Sequence, residues 1–262
     1  MLKAAWADLR ATIHFFPLVR ELVASSLKTE NVGTVLGYLW WLLHPLMQMG
    51  AYVILVDVIL QGSQRRFVLL VLTTLLAWKF FSAGVRDAIN TTLNKEGRMR
   101  QIAFPKVVFP LSTMFADMIR FLVGLLVVLA VSPIWGLYPS KATPFLLVVT
   151  FVQLIFGLAF AVLFSALNFF LRDIGNFVTY MFPLWYYISP GLYRLDQVPP
   201  GWMHYYMINP FATLLPAYQE IILDQQLPNF RDLGIVFGGS CIFLVAAYLV
   251  FVRLQSSFAK VN

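Results

Sequence analysis

Gly37-Tyr38-Leu39-Trp40-Trp41-Leu42-Leu43-His44-Pro45 begins an apolar run long enough to cross a membrane, and an amphipathic segment lies directly before it. The composition of the 262-residue chain points the same way, since 60% of its residues are hydrophobic and only 12% are charged. Typical soluble domains carry about 25% charged residues. A membrane span needs about 20 mostly apolar residues, so the sequence predicts an all-α membrane protein with a single transmembrane domain over residues 1–262.

Six apolar runs separated by polar breaks predict six transmembrane helices. They lie near residues 36–60, 67–89, 107–135, 145–169, 177–192 and 233–252. An even number of spans puts both termini on one side, and most of the basic loop residues fall on that side. Both termini are therefore predicted to be cytoplasmic, in a cytoplasmic (inner) membrane. Arg65 and Arg66, in the first outer loop, run against this charge rule.

Two segments outside the spans have patterns of their own. Within residues 1–33, Leu18 and Leu22 recur at helical spacing while Arg20 occupies the other face, which predicts an amphipathic helix lying in the membrane interface. A simple membrane anchor would show the same pattern. Residues 195–229 carry several prolines between short amphipathic pieces, which predicts an extracellular re-entrant helical hairpin before the last span. The alternative there is an ordinary exoplasmic loop.

Several kinds of chemistry are disfavoured by the residue types present. The net charge of +7 is typical of basic residues that orient membrane spans, rather than of nucleic-acid binding. The single cysteine, Cys241, excludes a disulfide within one chain. No Gly-x-x-x-x-Gly-Lys-Ser/Thr loop occurs, so the chain is not expected to bind nucleotide phosphates in that standard way. We expect neither a metal site nor a cofactor in this chain, since the three histidines lie in unrelated contexts.

Ionisable residues inside a span cost about 2.5–3.5 kcal/mol each at a helix centre, so each is a functional candidate. Asp57, Lys79, Asp117 and Arg120 fall in this class. Asp117 and Arg120 are three residues apart on a helix and are predicted to neutralise each other, with a proton relay as the alternative. Lys79 is predicted to lie beside the aromatic rings of a path, to pair with Asp57, or to snorkel to an interface.

Aromatic side chains in or beside the spans suit a path for sugars, because flat rings stack on the apolar faces of pyranoses. The same residues are also common in interface belts and cores. Trp40 and Trp41 point about 100° apart on a helix, so we assign the path to Trp41 or Tyr38 and the belt to Trp40. The candidate path residues are Tyr38, Trp41, Trp78, Lys79, Phe81, Tyr180 and Tyr187.

Five sequence features follow one another at fitting positions. They are the amphipathic N-terminal helix, Leu36-Gly37 leading to Trp41 and Pro45, Phe104-Pro105-Lys106 with Phe109-Pro110, Leu171-Arg172-Asp173-Ile174, and Asn209-Pro210-Phe211 before the last span. Each motif alone is weak, but together in this order they resemble the type-2 ABC exporter permeases for cell-envelope polysaccharides. That family includes the O-antigen and wall teichoic acid exporters. The resemblance runs from about Pro17 to Arg253.

The resemblance implies a non-enzymatic half-transporter that forms a homodimer, in which each copy docks one separate ABC subunit. The two partner subunits would bind ATP and Mg. The cargo would be a lipid-pyrophosphate-linked polymer taken from the membrane, and the teichoic acid type is favoured because no polymer-specific module is evident. ATPase coupling and gating are implied for Asn94, Lys95, Glu96, Arg98, Phe104, Arg172 and Asp173, and head-group binding at the cytoplasmic mouth for Lys28, Arg86, Arg98 and Arg100.

Other functional classes fit parts of the sequence. An exporter of another lipid, a drug or haem is disfavoured by the compact length, the missing large extracellular domain and the interface helix. A polyprenyl-lipid glycosyltransferase or phosphatase needs a clustered catalytic set, whereas the predicted cytoplasmic side offers the isolated Asp87, Glu96 and Asp173. An ion-coupled carrier is supported by Asp117 alone, without an evident internal repeat.

Overall fold

The structure is a computed structural model that describes residues 12, 14–29, 40, 43, 46–47, 50–51, 54, 65–96 and 104–258. Within these residues all regular structure is helical, which confirms the predicted all-α class. Short 3-10 helices occur at Ser132–Trp135, Thr143–Phe145 and Leu195–Gln197. The α-helices are α1 (Phe16–Thr29), α2 (Arg65–Glu96), α3 (Val108–Val131), α4 (Leu146–Phe170), α5 (Asp173–Ile188), α6 (Pro200–Tyr206), α7 (Phe211–Ile222) and α8 (Phe230–Phe258).

Four helical stretches are long and apolar enough to cross a membrane. They are Arg66–Thr92, Val108–Trp135, Thr143–Phe170 and Phe230–Gln255. Each coincides within a few residues with a predicted span, so the chain is a multi-pass membrane protein. The predicted span at 36–60 lies largely outside the described residues. α5 has 16 residues, fewer than the roughly 20 that a span needs, so the total of six spans stays a prediction.

α5 overlaps the predicted span at 177–192 but begins and ends closer to the N-terminus. Asp173 lies in its first turn, where a carboxylate interacts favourably with the helix dipole. The helix ends at Ile188 because Pro190 follows two residues later. A residue before proline is pushed out of the α region, and Ser189 is accordingly extended, with a ψ of 156°.

α4 is the centre of the bundle and packs against α8, α2 and α3. The Gln153 side-chain amide of α4 donates a hydrogen bond to the Ala77 carbonyl of α2 at 2.6 Å, which offsets the cost of burying that amide. Met114 of α3 is fully buried between Gly84 and Gly157. A Cβ atom at these two glycines would come within 2.7 and 2.6 Å of the Met114 side chain, so the glycines allow α3 to approach α2 and α4 closely.

The segments around the spans also fold as helices. α1 packs along α3 and buries Val19, while Arg20 and Glu21 are exposed, so a helix forms where the amphipathic pattern predicts one. α7 is buried on nearly every side and packs against α2, α4 and α8. α6 instead exposes Trp202 and Tyr205. The segment 195–229 therefore contains two short α-helices, of which the second is enclosed by the bundle.

Candidate functional site

One face of α5 is exposed along the length of the helix. Phe177, Tyr180, Leu184 and Tyr187 are 51%, 69%, 53% and 62% exposed, and their spacing of three or four residues puts them on one side of the helix. We call these four residues the α5 face. In a membrane protein such a surface contacts lipid, a partner subunit or a substrate, and the two tyrosine hydroxyls favour polar contacts over lipid alone. The structure therefore places the predicted path residues Tyr180 and Tyr187 on the same exposed face, about two helical turns apart.

The opposite side of α5 is anchored in a cluster of aromatic rings. The ring centroids of Trp78 and Phe211 are 4.7 Å apart, and those of Phe81 and Phe182 are 5.0 Å apart. Such ring pairs contribute about 0.5–1.5 kcal/mol each beyond their burial, so the cluster fixes the orientation of α5. Trp78 and Phe81, which are also predicted path residues, are buried. They lie behind the α5 face and not on it.

Asn209 is a second anchor of α5, and it belongs to the Asn-Pro-Phe motif. Its Oδ1 accepts hydrogen bonds from Trp185 Nε1–H at 3.0 Å and from the Phe211 backbone N–H at 3.1 Å. Its Nδ2 donates to Ser189 Oγ at 2.9 Å. The side chain thus ties the end of α5 to the start of α7. An Asn-Pro pair predicts a turn, but the turn alone does not reveal these partners.

The charged pair in α3 is formed as the spacing predicts. Arg120 Nη1 donates to Asp117 Oδ1, which confirms their mutual neutralisation. Arg120 Nη2 also donates to Ser26 Oγ at 3.4 Å. Because Ser26 belongs to α1, the same arginine connects the N-terminal helix to the bundle.

Several other predicted residues occupy separate positions. Lys28 and Arg86 are exposed, and Lys79 is half-buried on α2. Trp40, the predicted belt residue, is 44% exposed. For Asn94, Lys95 and Glu96 the structure describes the backbone, as the last turn of α2, and not the side chains. Outside the described residues lie Tyr38, Trp41, Asp57, Arg98 and Arg100.

The remaining coupling candidates lie at two turns. Phe104, before α3, is half-buried, and its ring centroid is 6.2 Å from that of Phe15 and 5.5 Å from that of Phe109. Arg172 and Asp173 are exposed where α4 leads into α5. Exposed side chains at a short turn between two long helices are available to contact another protein.

Distant parts of the chain meet at the end of the bundle where α2 begins. Arg66, Trp135, Tyr193, Arg194 and Asp224 are among the residues that line a cavity of about 540 Å³. Arg194 donates from Nη1 and Nη2 to the two carboxylate oxygens of Asp224, at 3.2 and 2.6 Å, and such two-point pairs are stronger than single contacts. This hydrogen bonding to Asp224 raises the pKa of Arg194 above its ordinary value.

Little in the sequence predicts this cavity. Among the lining residues, the sequence singles out Arg66 alone. Arg65 and Arg66 lie in a predicted outer loop, whereas basic residues usually concentrate on the cytoplasmic side of the membrane. The other lining residues come from separate stretches of the chain, near positions 67–70, 135, 192–197 and 223–224, and spacing does not connect these stretches. In the described part of the chain, no group of three or more His, Cys, Asp or Glu side chains is placed to hold a metal ion.

The chain is similar over almost its whole length to curated permeases. It is 28% identical over 245 residues to the O-antigen export system permease protein RfbA of Myxococcus xanthus, covering 93% of this chain and 94% of the relative. It is 24% identical over 249 residues to the protein of the same name in Klebsiella pneumoniae, covering 95% of this chain and 96% of the relative. No family model matches the chain. The similarity confirms the resemblance that the order of the motifs predicts.

Proposed function

We propose that this chain is the transmembrane subunit of an ATP-driven ABC exporter that moves an O-antigen-type, lipid-linked polysaccharide across the cytoplasmic membrane. The observation that carries the proposal is the similarity to O-antigen export permeases over more than nine-tenths of both chains. The helical bundle with its candidate spans agrees with it. In this role the chain is not an enzyme, and separate subunits bind ATP and Mg and hydrolyse ATP. Wall teichoic acid as the cargo stays a prediction, since the names of the relatives refer to O-antigen.

The proposed architecture has six spans with both termini in the cytoplasm. Residues 36–60 form the first span and α5 forms a short fifth one. α1 lies at the cytoplasmic interface before the first span. α6 and α7 form an extracellular re-entrant hairpin, and α7 supports this, because a 12-residue helix is too short to cross a membrane yet is buried on nearly every side.

The α5 face supports a homodimer in which two copies meet around the polymer path. We call the contact between the two copies the seam. Tyr180 and Tyr187 would line it, where their rings stack on sugars and their hydroxyls form hydrogen bonds with sugar hydroxyls. Tyr38 and Trp41 of the first span would complete it. Trp78 and Phe81, which are buried, would support the wall of the path from behind.

The contacts of α2 suggest how a cytoplasmic partner would move the seam. α2 carries the buried aromatic cluster in its middle, and its last turn contains Asn94. Asn94 is the first residue of the proposed coupling segment, residues 94–104. Trp78 and Phe81 pack directly against rings of α5. A displacement of the coupling segment on ATP binding would therefore be passed through α2 to the α5 face. ATP hydrolysis in the two ATPase subunits would return the coupling segment and the α5 face to their starting positions.

The anionic head of the lipid carrier would first meet the cytoplasmic mouth. Lys28, Arg86, Arg98 and Arg100 would supply the positive charge there. Guanidinium groups suit this task because they bond to phosphate oxygens in pairs. Phe104, Arg172 and Asp173 would contact the ATPase beside this mouth. Asn94, Lys95 and Glu96 in the last turn of α2, and Arg98 two residues further along the sequence, would take part in the same contact.

The complex with an ABC ATPase tests this function. We expect the two proteins to co-purify and the ATPase activity of the reconstituted complex to rise with lipid-linked polysaccharide. Replacing Arg98 and Arg100 with Gln should reduce this stimulation several-fold, because the phosphate oxygens lose their cationic partners. Arg231→Gln, at an exposed position that starts α8, is the matched control.

Two results would count against the proposal at different levels. Unchanged stimulation and export in the Arg98 and Arg100 variant would remove the role given to these two arginines. A chain that purifies without an ATPase and itself turns over a lipid-linked sugar would contradict the exporter assignment and favour a membrane enzyme.

A further inference from the structure

The cavity at the start of α2 plays no part in the mechanism above. We propose that it is a binding site for an oxyanion, either a carboxylate or a phosphate, carried on a polyhydroxyl group. An acidic sugar and a lipid head group both have this chemistry. The site itself does not depend on the proposed function, which bears only on which of the two sources supplies the anion.

The charges that line the cavity leave one cation available. Arg194 is held by the two-point pair with Asp224, and its Nε also lies 3.8 Å from a carboxylate oxygen of the exposed Asp196, so the charge of Arg194 is fully compensated. Arg66 is exposed and makes no ion pair with a carboxylate of the described residues. Its planar guanidinium presents paired N–H donors that match carboxylate and phosphate oxygens. The cavity therefore suits a ligand with one negative charge.

The rest of the lining suits hydroxyl groups and a flat apolar surface. Gln197 adds an amide donor and acceptor, and the half-buried Trp135 offers an indole ring against which a sugar face can stack. Tyr193 is held in place, since its hydroxyl donates to the Ile188 carbonyl at 3.1 Å and shares a hydrogen bond of 2.7 Å with the Tyr206 hydroxyl. Its ring is therefore positioned before a ligand arrives. A volume of about 540 Å³ lies within the range of about 300–1,000 Å³ that is usual for small-ligand sites.

A neighbouring cavity extends this surface. It measures about 500 Å³ and shares Arg66, Arg194 and Asp224 with the first cavity, while Gln225 and Gln226 add further polar groups. The shared arginines therefore face a longer polar groove and not a closed pocket. A ligand function also accounts for Arg66 at the start of α2, on the side of the membrane where the predicted topology disfavours basic residues.

Anion binding to the purified chain tests the site. The chain is placed in nanodiscs of phosphatidylcholine and titrated calorimetrically with sodium glucuronate, with glucose as the neutral comparison and inorganic phosphate as the competitor. We expect saturable binding of glucuronate that weakens about tenfold in Arg66→Gln, the loss typical of a charge-assisted hydrogen-bonding pair. Arg66→Lys keeps the positive charge, so its affinity for glucuronate should fall less than that of Arg66→Gln. Arg231→Gln should bind as the unaltered chain does.

The competitors identify the source of the anion. Glucuronate binding that phosphate displaces weakly indicates an acidic sugar, whereas strong displacement by phosphate and loss of the glucuronate signal in phosphatidylglycerol nanodiscs indicate a lipid head group. Both results support the oxyanion site. No saturable binding of either anion, or equal binding by Arg66→Gln with an unchanged melting temperature, would overturn it. The assay contains no ATPase, so its failure would leave the proposed export function intact.

Discussion

Glu220 of α7 is the residue at which the structure predicts a response to pH. Burial raises the pKa of its carboxyl group, the charge of Asp224 raises it further, and the charge of Arg194 offsets part of this. In the unfolded chain glutamate titrates near its ordinary value of about 4.3. The folded chain therefore holds this proton more tightly. Tighter proton binding by the folded chain adds to the free energy of unfolding. This contribution is fully present at a pH below the ordinary glutamate pKa, and it is lost as the pH rises through the raised pKa of the folded chain.

We expect Glu220→Gln to remove this contribution to the pH dependence. The melting temperature of the purified chain in detergent is measured from acidic to mildly alkaline pH. Over this range we expect the melting temperature of the unaltered chain to fall by a few degrees more than that of the variant. Glu21→Gln changes an exposed carboxyl of α1 and should leave the curve as it is. If the Glu220→Gln curve runs parallel to that of the unaltered chain, the carboxyl is not held in its neutral form by the fold.

At the scale of elements, Asn209 provides the hydrogen bonds that join the end of α5 to the start of α7, beside the aromatic contacts between the two helices. Asn209→Ala removes the acceptor of the Trp185 indole and the donor to Ser189 Oγ. Leaving such partly buried groups unpaired costs about 1–3 kcal/mol, so we expect a lower melting temperature. Because the α5 face is then less firmly placed, export should fall while co-purification with the ATPase persists.

Asn176→Ala provides the comparison for that variant. Asn176 also belongs to α5, but its side chain is exposed and makes no hydrogen bond with the described residues. Equal melting temperatures and equal export in the two variants would show that Asn209 does not anchor α5.

The elements that the sequence predicts well are those decided by length and apolarity. The spans corresponding to α2, α3, α4 and α8 follow from these two properties, because a helix is the structure that satisfies its own backbone in lipid. Hydropathy predicts the end of α5 wrongly. The apolar run continues to Leu192, but the helix ends at Ile188 because Pro190 stops it.

The lining of the candidate site is harder to predict than the spans. Bundle interior and lipid are both apolar, so hydropathy does not distinguish the buried Trp78 and Phe81 from the exposed Tyr180 and Tyr187. The cavity around Arg66 is harder still, because it brings together residues from 66 to 224 that only the folded chain places side by side.

For the molecule as a whole, the homodimer proposed above would have its two copies meet at the α5 face. A two-fold interface is self-complementary, so a residue near the axis meets the same residue of the second copy. Cys241 is the only cysteine in the chain. The Cys241→Ser variant therefore contains no cysteine, and a single cysteine can be introduced into it at any chosen position. A disulfide forms only when the two Cα atoms approach within about 7 Å, which makes cross-linking a direct measure of this contact.

We expect at least one of Tyr180→Cys, Leu184→Cys and Tyr187→Cys to form a disulfide-linked dimer on mild oxidation of native membranes. The yield, read from non-reducing gels, should exceed that of Ile242→Cys at least fivefold. Ile242 is a suitable control because it is 75% exposed but lies on α8, away from the proposed seam. Cross-linking through Ile242 without any through the three α5 positions would move the dimer contact to α8, and the tyrosines of the α5 face would then face lipid and not a polymer path.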